Sequence, residues 1–136
     1  MEQVLIDTDV LIDFLRGYNR RIKPLFEQIE TKTIQAYVSL ISVTELYAGE
    51  DVTYEPKREA LHKLLSYLTV VNLDIAIAKR TGNLKRIHVL ALADAYIAAT
   101  CIEKKLQLAT FNHKHFAKIP NLRLYTIHYP PPGWVG

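Results

Sequence analysis

The opening residues, MEQVLIDTDVLID, constrain most strongly what this chain can fold into. A short apolar run, Val4-Leu5-Ile6, ends at Asp7, and Thr8-Asp9 then opens a segment with apolar residues at Val10, Leu11, Phe14 and Leu15. This is the pattern of a buried strand passing directly into a helix, with Asp7 at the strand's carboxyl end and Asp9 placed to cap the helix. In open α/β sheets, ligands sit at that end of a strand. Both aspartates also have a plainer reading, as cap and strand terminator only, so the choice depends on what partners the rest of the chain supplies.

The remaining sequence repeats the alternation. Gly17 stops the first helix, and Arg20 to Glu30 reads as a second, with Ile22, Leu25, Phe26 and Ile29 on one face. Ile34 to Leu40 is β-branched and aromatic enough for a strand, and Ser42 stands three residues before Glu45, the spacing of a capping box. Glu45 is thus expected in the first turn of a helix ending near Gly49. A polar connection, Asp51 to Pro56, leads to an amphipathic helix over Lys57 to Leu68, then to a strand at Thr69 to Leu73. Asp74 caps a helix over Ile75 to Ile87, which Gly82 and Asn83 are expected to interrupt or shorten. Leu106 to Ala109 is a short buried strand with Thr110-Phe111-Asn112 at its end, a short helix follows, and Leu122 to Ile127 forms a last strand. The alternation predicts an α/β fold with a central, mostly parallel sheet of four to five strands flanked by helices. With 136 residues there is room for one domain, expected over 1–127. The remainder, 128–136, is a Pro-rich tail that three consecutive prolines keep from being helical, with Trp134 a candidate exposed aromatic contact.

Asp94 is the second feature that needs an explanation. It stands nearly alone in VLALADAYIAATCI, where a carboxylate is costly to bury without a partner. A cap or a buried hydrogen bond is one account; a ligand that offsets the desolvation is the other, and the one favoured. In a parallel sheet Asp7, Glu45, Asp94 and Asn112 follow or face the same strand ends. Three carboxylates in one pocket repel one another unless a cation holds them. Hard oxygen donors with open positions suit magnesium or manganese, which keep several waters and complete their shell with substrate phosphate. Such an ion serves phosphodiester hydrolysis.

Charge is compatible with a polyanionic partner. The formal net charge is only +3, but basic residues cluster as Arg16, Arg20, Arg21 and Lys23, as Lys79, Arg80, Lys85 and Arg86, and as Lys104, Lys105, Lys114 and Lys118. Ordinary solvated helix surface also explains such clusters, and is the reading that charge alone favours. The single cysteine, Cys101, excludes an internal disulfide and has no supporting histidine motif for thiol catalysis. Apolar stretches fall short of the roughly 20 residues needed to span a bilayer, and no basic region with an apolar signal core opens the chain, so a cytoplasmic protein is expected.

At this point LIDTDVLIDFL, SVTELYAG, DAYIAAT and LATFNHKHF together resemble the successive motifs of the PIN-domain family, in particular its VapC-type toxins. Four motifs in order cover nearly the whole chain and are far more specific than any one of them. The resemblance implies a three-layer fold and a magnesium- or manganese-dependent endoribonuclease that cleaves structured RNA, often transfer or ribosomal RNA, to leave a 5′ phosphate. It places the family's acidic residues on Asp7, Glu45 and Asp94, with metal held by Asp7 and Asp94 and Glu45 as a further ligand. Asp9, Thr110 and Asn112 become supporting residues. Asn112 stands where many relatives carry a fourth acid, with Phe111 in place of a frequent arginine and His115 in place of a common aspartate, which puts a second metal in doubt. Homodimers and a VapB-type antitoxin, seated in an apolar groove near the first two helices, are the partners implied; Phe14, Leu15, Leu25 and Phe26 are candidates to line that groove.

Two other classes stay open. Asp7-Thr8-Asp9 after a strand resembles the opening of haloacid-dehalogenase-like phosphatases, although Leu11 and the lack of a later paired-acid loop depart from it. A binding module that keeps the fold without turnover is the other.

Overall fold

The computed structural model describes residues 1–17 and 19–130. Four strands, β1 (Gln3–Ile6), β2 (Gln35–Ser39), β3 (Thr69–Val71) and β4 (Gln107–Ala109), form one sheet in the order β3-β2-β1-β4, and every pairing is parallel. The helices are α1 (Thr8–Arg16), α2 (Lys23–Glu30), α3 (Leu40–Ala48), α4 (Glu55–Ser66), α5 (Ile75–Ile87), α6 (Leu92–Lys104) and α7 (His113–Phe116). This is the expected α/β architecture, with four strands.

Alternation along β1 sorts the layers. Val4 and Ile6 face one core with Val10, Leu11, Phe26, Ile29, Leu61 and Leu64 from α1, α2 and α4. Leu5 faces the other, with Ile77, Leu84, Ala95, Ala98 and Phe116 from α5, α6 and α7. All three apolar residues of β1 are fully buried because the strand is central and covered on both sides. Small alanines at Ala95, Ala98 and Ala99 let α6 lie close against its neighbours.

The order places the site. From β1 the chain moves outward through β2 to β3, whereas β4 returns to pair on β1's other side. The switch point therefore falls between β1 and β4, and the crevice beyond their carboxyl ends is the place for a ligand in such a sheet.

Several local expectations are corrected. Asp7, not Asp9, is the N-cap of α1 and accepts from Thr8 N at 2.8 Å, since the strand runs into the helix without a spare residue. The capping box at Ser42 and Glu45 does not form: Ser39 ends β2 and caps α3 through Ile41 N at 3.2 Å, so Glu45 lies beyond the first turn. Gly82 and Asn83 do not interrupt α5, because Ile77, Thr81 and Leu84 are buried on either side of them and a helical glycine costs only about 1 kcal/mol. Arg20–Ile22 is a short 3-10 turn before α2, and the polar connection holds another at Glu50–Thr53. The expected last strand shrinks to a single parallel bridge between Leu108 and Leu124, as β4 is only three residues long. Of the tail, residues 131–136, including Trp134, lie outside the described residues. Among the described residues no helix is long and apolar enough to cross a membrane.

Candidate active site

Asp7 is the buried centre of the crevice. Its backbone N–H donates to Ala109 O of β4 at 2.9 Å, which ties the two strand ends together. Its Oδ1 accepts from Thr8 N and its Oδ2 accepts from the Thr110 hydroxyl, each at 2.8 Å. Thr110 is fully buried and its oxygen also accepts from Asn112 N at 3.1 Å. Asp9, two residues into the first turn of α1, accepts from Phe111 N at 3.3 Å through Oδ2, while its Oδ1 is buried without a hydrogen-bond partner.

Asp94 comes from the first turn of α6, where the helix dipole favours a negative charge. Its Oδ2 lies 3.4 Å from His115 Nε2 of α7. Glu45 approaches along α3 and is exposed, and Thr8 Oγ1 hydrogen-bonds both Glu45 Oε1, at 2.8 Å, and Ser42 Oγ, at 2.7 Å.

The aspartates act on one another electrostatically. Burial pushes the Asp7 carboxyl up to about 7, and the charges of Asp9 and Asp94 push the same way, against the hydrogen bonds from Thr110 and Thr8 N. Burial raises Asp9 as well, with Asp94 adding to it. A carboxylate group held this far from its ordinary range in a crevice is a mark of a functional site.

The predicted set is thus assembled unevenly. Asp7, Asp9, Asp94 and Thr110 are brought together, and Glu45 joins through Thr8. Asn112 contributes its backbone N–H, while its exposed side chain makes no capping bond on α7. Three residues escaped sequence reasoning. Thr8 was read only as the opening of the first helix. Asp13, whose Oδ2 is buried without a hydrogen-bond partner, sits one turn beyond Asp9, a spacing of four that was available as a signal. His115 was read only as a departure from a pattern.

The residues present fit a hard divalent cation. Mutually repelling carboxylates and the unpartnered Asp9 Oδ1 are what such an ion would satisfy. Among the described residues no three His, Cys, Asp or Glu side chains gather closely enough to hold one by themselves. Cys101 is buried, and burial pushes its thiol up, so it stays inert.

The PIN domain family model matches residues 4–122. Ribonuclease VapC10 of Mycobacterium tuberculosis is 31% identical over 125 residues, covering 88% of this chain and 90% of that protein. Ribonuclease VapC1 of Methanocaldococcus jannaschii is 29% identical, covering 90% and 85%. A toxin-antitoxin complex from Klebsiella pneumoniae matches with a TM-score of 0.72 at 31% identity, over 93% of this chain and 99% of that one. DNA-bound VapBC from Salmonella typhimurium shares the fold with a TM-score of 0.79 at 23% identity, over 92% and 98%.

Proposed function

The chain belongs to the PIN-domain family, and on that premise we propose that it is a metal-dependent endoribonuclease, the toxin of a VapBC-type pair, that hydrolyses phosphodiester bonds of structured RNA such as transfer or ribosomal RNA. The observation that carries this reading is the convergence of Asp7, Asp9 and Asp94 on the crevice between β1 and β4, with one carboxylate oxygen left unpartnered. The names of the VapC relatives and the Klebsiella pneumoniae complex support it.

In this mechanism Asp7 and Asp94 would hold magnesium, with manganese as its substitute and Glu45 as a further ligand. A bound ion of this kind lowers the pKa of water and stabilises the charge that develops on a phosphodiester. Thr110 and Thr8 N fix both Asp7 oxygens, so the buried carboxylate cannot rotate away. Glu45, held by Thr8 but exposed, is placed to take a proton from attacking water. Asp9 adds negative charge beside Asp7, and Asn112 orients water or phosphate without adding charge.

Backbone phosphates need cations at the rim. Lys114 and Lys118 line a shallow groove on α7 with Asn112 and His115. Arg80 is paired with Glu103 and Lys104 with Asp74, so those two serve the fold as well.

The proposed assembly is a homodimer bound by a VapB-type antitoxin. Apolar clefts lie along α1, one lined by Ile12, Leu15, Leu46 and Leu61, the next by Phe14, Phe26, Ile29 and Tyr67. Of the four groove candidates, Phe14, Leu15 and Phe26 border these clefts, but Phe26 is as buried as Leu25 and both are core residues. Ile75, Ile87, Val89 and Leu92 are exposed around α5 and the start of α6, apolar surface that suits a second copy.

The test is incubation of purified protein with total RNA and, separately, with a chromogenic phosphate ester. Each is run with magnesium, manganese or chelator, beside Asp7→Asn. RNA cleavage that requires metal and Asp7 is expected. Intact RNA in both metals, with binding retained, would leave a binding module, and ester cleavage through an aspartyl-phosphate would make the protein a phosphatase.

A further inference from the structure

His115 brings an imidazole to the acidic centre. Its Nε2 lies 3.4 Å from Asp94 Oδ2, yet this buried nitrogen makes no hydrogen bond among the described residues. The ring is held in place from behind. His115 N donates to Asn112 O at 3.2 Å, and the ring meets the buried Phe116 edge-on at 5.4 Å between centroids. Buried polar atoms without partners are rare in folded proteins and ask for an explanation.

Geometry and charge answer together. Neighbouring ligands on an octahedral ion at about 2.1 Å stand about 3 Å apart, so the Asp94 and His115 atoms need only a small side-chain movement to share one ion. Protonated, the imidazole would form an ion pair with Asp94 at this distance; deprotonated at Nε2, it offers that nitrogen to a cation. Asp7, Asp9 and Asp94 already crowd negative charge into the crevice, and a neutral nitrogen completes a shell without adding to their repulsion. Both donors sit on helices packed into the core, Asp94 on α6 and His115 on α7, which fixes their spacing.

The geometry points to His115 Nε2 as a nitrogen donor to the ion held by Asp94, which makes this a mixed oxygen and nitrogen centre selecting manganese over magnesium. This inference rests on the proposed metal-dependent nuclease. Magnesium takes oxygen ligands, whereas imidazole is a donor for transition ions. Selection therefore follows from one side chain.

The experiment uses the full chain and manganese alone, with pulsed electron paramagnetic resonance of the bound ion to read nitrogen coupling. Nitrogen coupling of the imidazole kind is expected in the native protein, retained in His113→Asn and lost in His115→Asn. Competition titrations are expected to show manganese bound at least about tenfold more tightly than magnesium, with His115→Asp closing that gap about tenfold. Manganese that binds through Asp7 and Asp94 without nitrogen coupling overturns the role of His115 and leaves the nuclease reading intact. Manganese that does not bind, or binds unchanged in Asp94→Asn, overturns the metal centre and this inference with it. Should His115→Asn fail to fold, the native spectrum and His115→Asp still decide.

Discussion

The Thr110 hydroxyl donates to Asp7 Oδ2 at 2.8 Å, joining the end of β4 to the end of β1 across 103 residues of sequence. The same oxygen accepts from Asn112 N, so one side chain fixes both the central carboxylate and the loop beside it. Thr110→Val keeps the shape and removes both bonds. It is expected to destabilise the protein by about 1 to 3 kcal/mol in urea unfolding and to lower RNA cleavage at saturating metal, with Thr110→Ser restoring most of each. Equal stability of native protein and Thr110→Val would contradict this role.

Asp7 sets a pH dependence of stability. Its carboxyl titrates near 7 in the fold against 3.8 as the ordinary value, so the folded form keeps its proton over a range where the unfolded chain has lost it. The associated stability is fully present below about pH 4 and is lost as pH rises through 7. Asp7→Asn removes the buried charge while retaining an oxygen for Thr8 N. In chelator, its melting temperature should match the native protein at pH 4 and exceed it by about 5 °C or more at pH 8. A difference that is constant across pH would sink the assignment.

Glu45 separates function from folding. It is exposed and held by one hydrogen bond from Thr8, and Gln can accept the same bond. Glu45→Gln should change stability by less than about 0.5 kcal/mol while slowing RNA cleavage by about a hundredfold. Undiminished cleavage rates under single-turnover conditions would remove Glu45 from the chemistry.

Two glycines should respond in opposite directions to alanine. Gly17 ends α1 with φ at 69°, and an added Cβ would meet nothing within 4 Å, so Gly17→Ala costs only the backbone strain, about 1 kcal/mol. Gly82 is helical, exposed and likewise unobstructed, so Gly82→Ala should stabilise by up to about 1 kcal/mol. Thermal melts of the two variants side by side check the pair.

The strands and helices were legible because each apolar run is short, bounded by turn residues and matched to one period. Asp7 and Asp94 could be picked out for different reasons, one by its place after a strand, the other by its apolar surroundings. What was hidden depended on distance in sequence. Nothing near Thr8 says that its hydroxyl meets Glu45 and Ser42, and nothing near His115 says that it faces Asp94. The cap of α3 was misplaced because Ser39 and Ser42 offer the same chemistry, and only the end of β2 decides between them. Gly82 misled because local propensity was weighed without the buried neighbours that outvote it.

The sheet order also governs when the centre comes into being. β1 is the first strand made, yet the partner on its catalytic flank, β4, is among the last, and Thr110 follows it. During synthesis an emerging chain holds Asp7 and Asp9 long before it has anything to clamp them, and pairings this distant in sequence form slowly. The site is therefore incomplete until almost the whole domain has been translated, and a chain that stops before residue 110 lacks the residue that locks Asp7 in place.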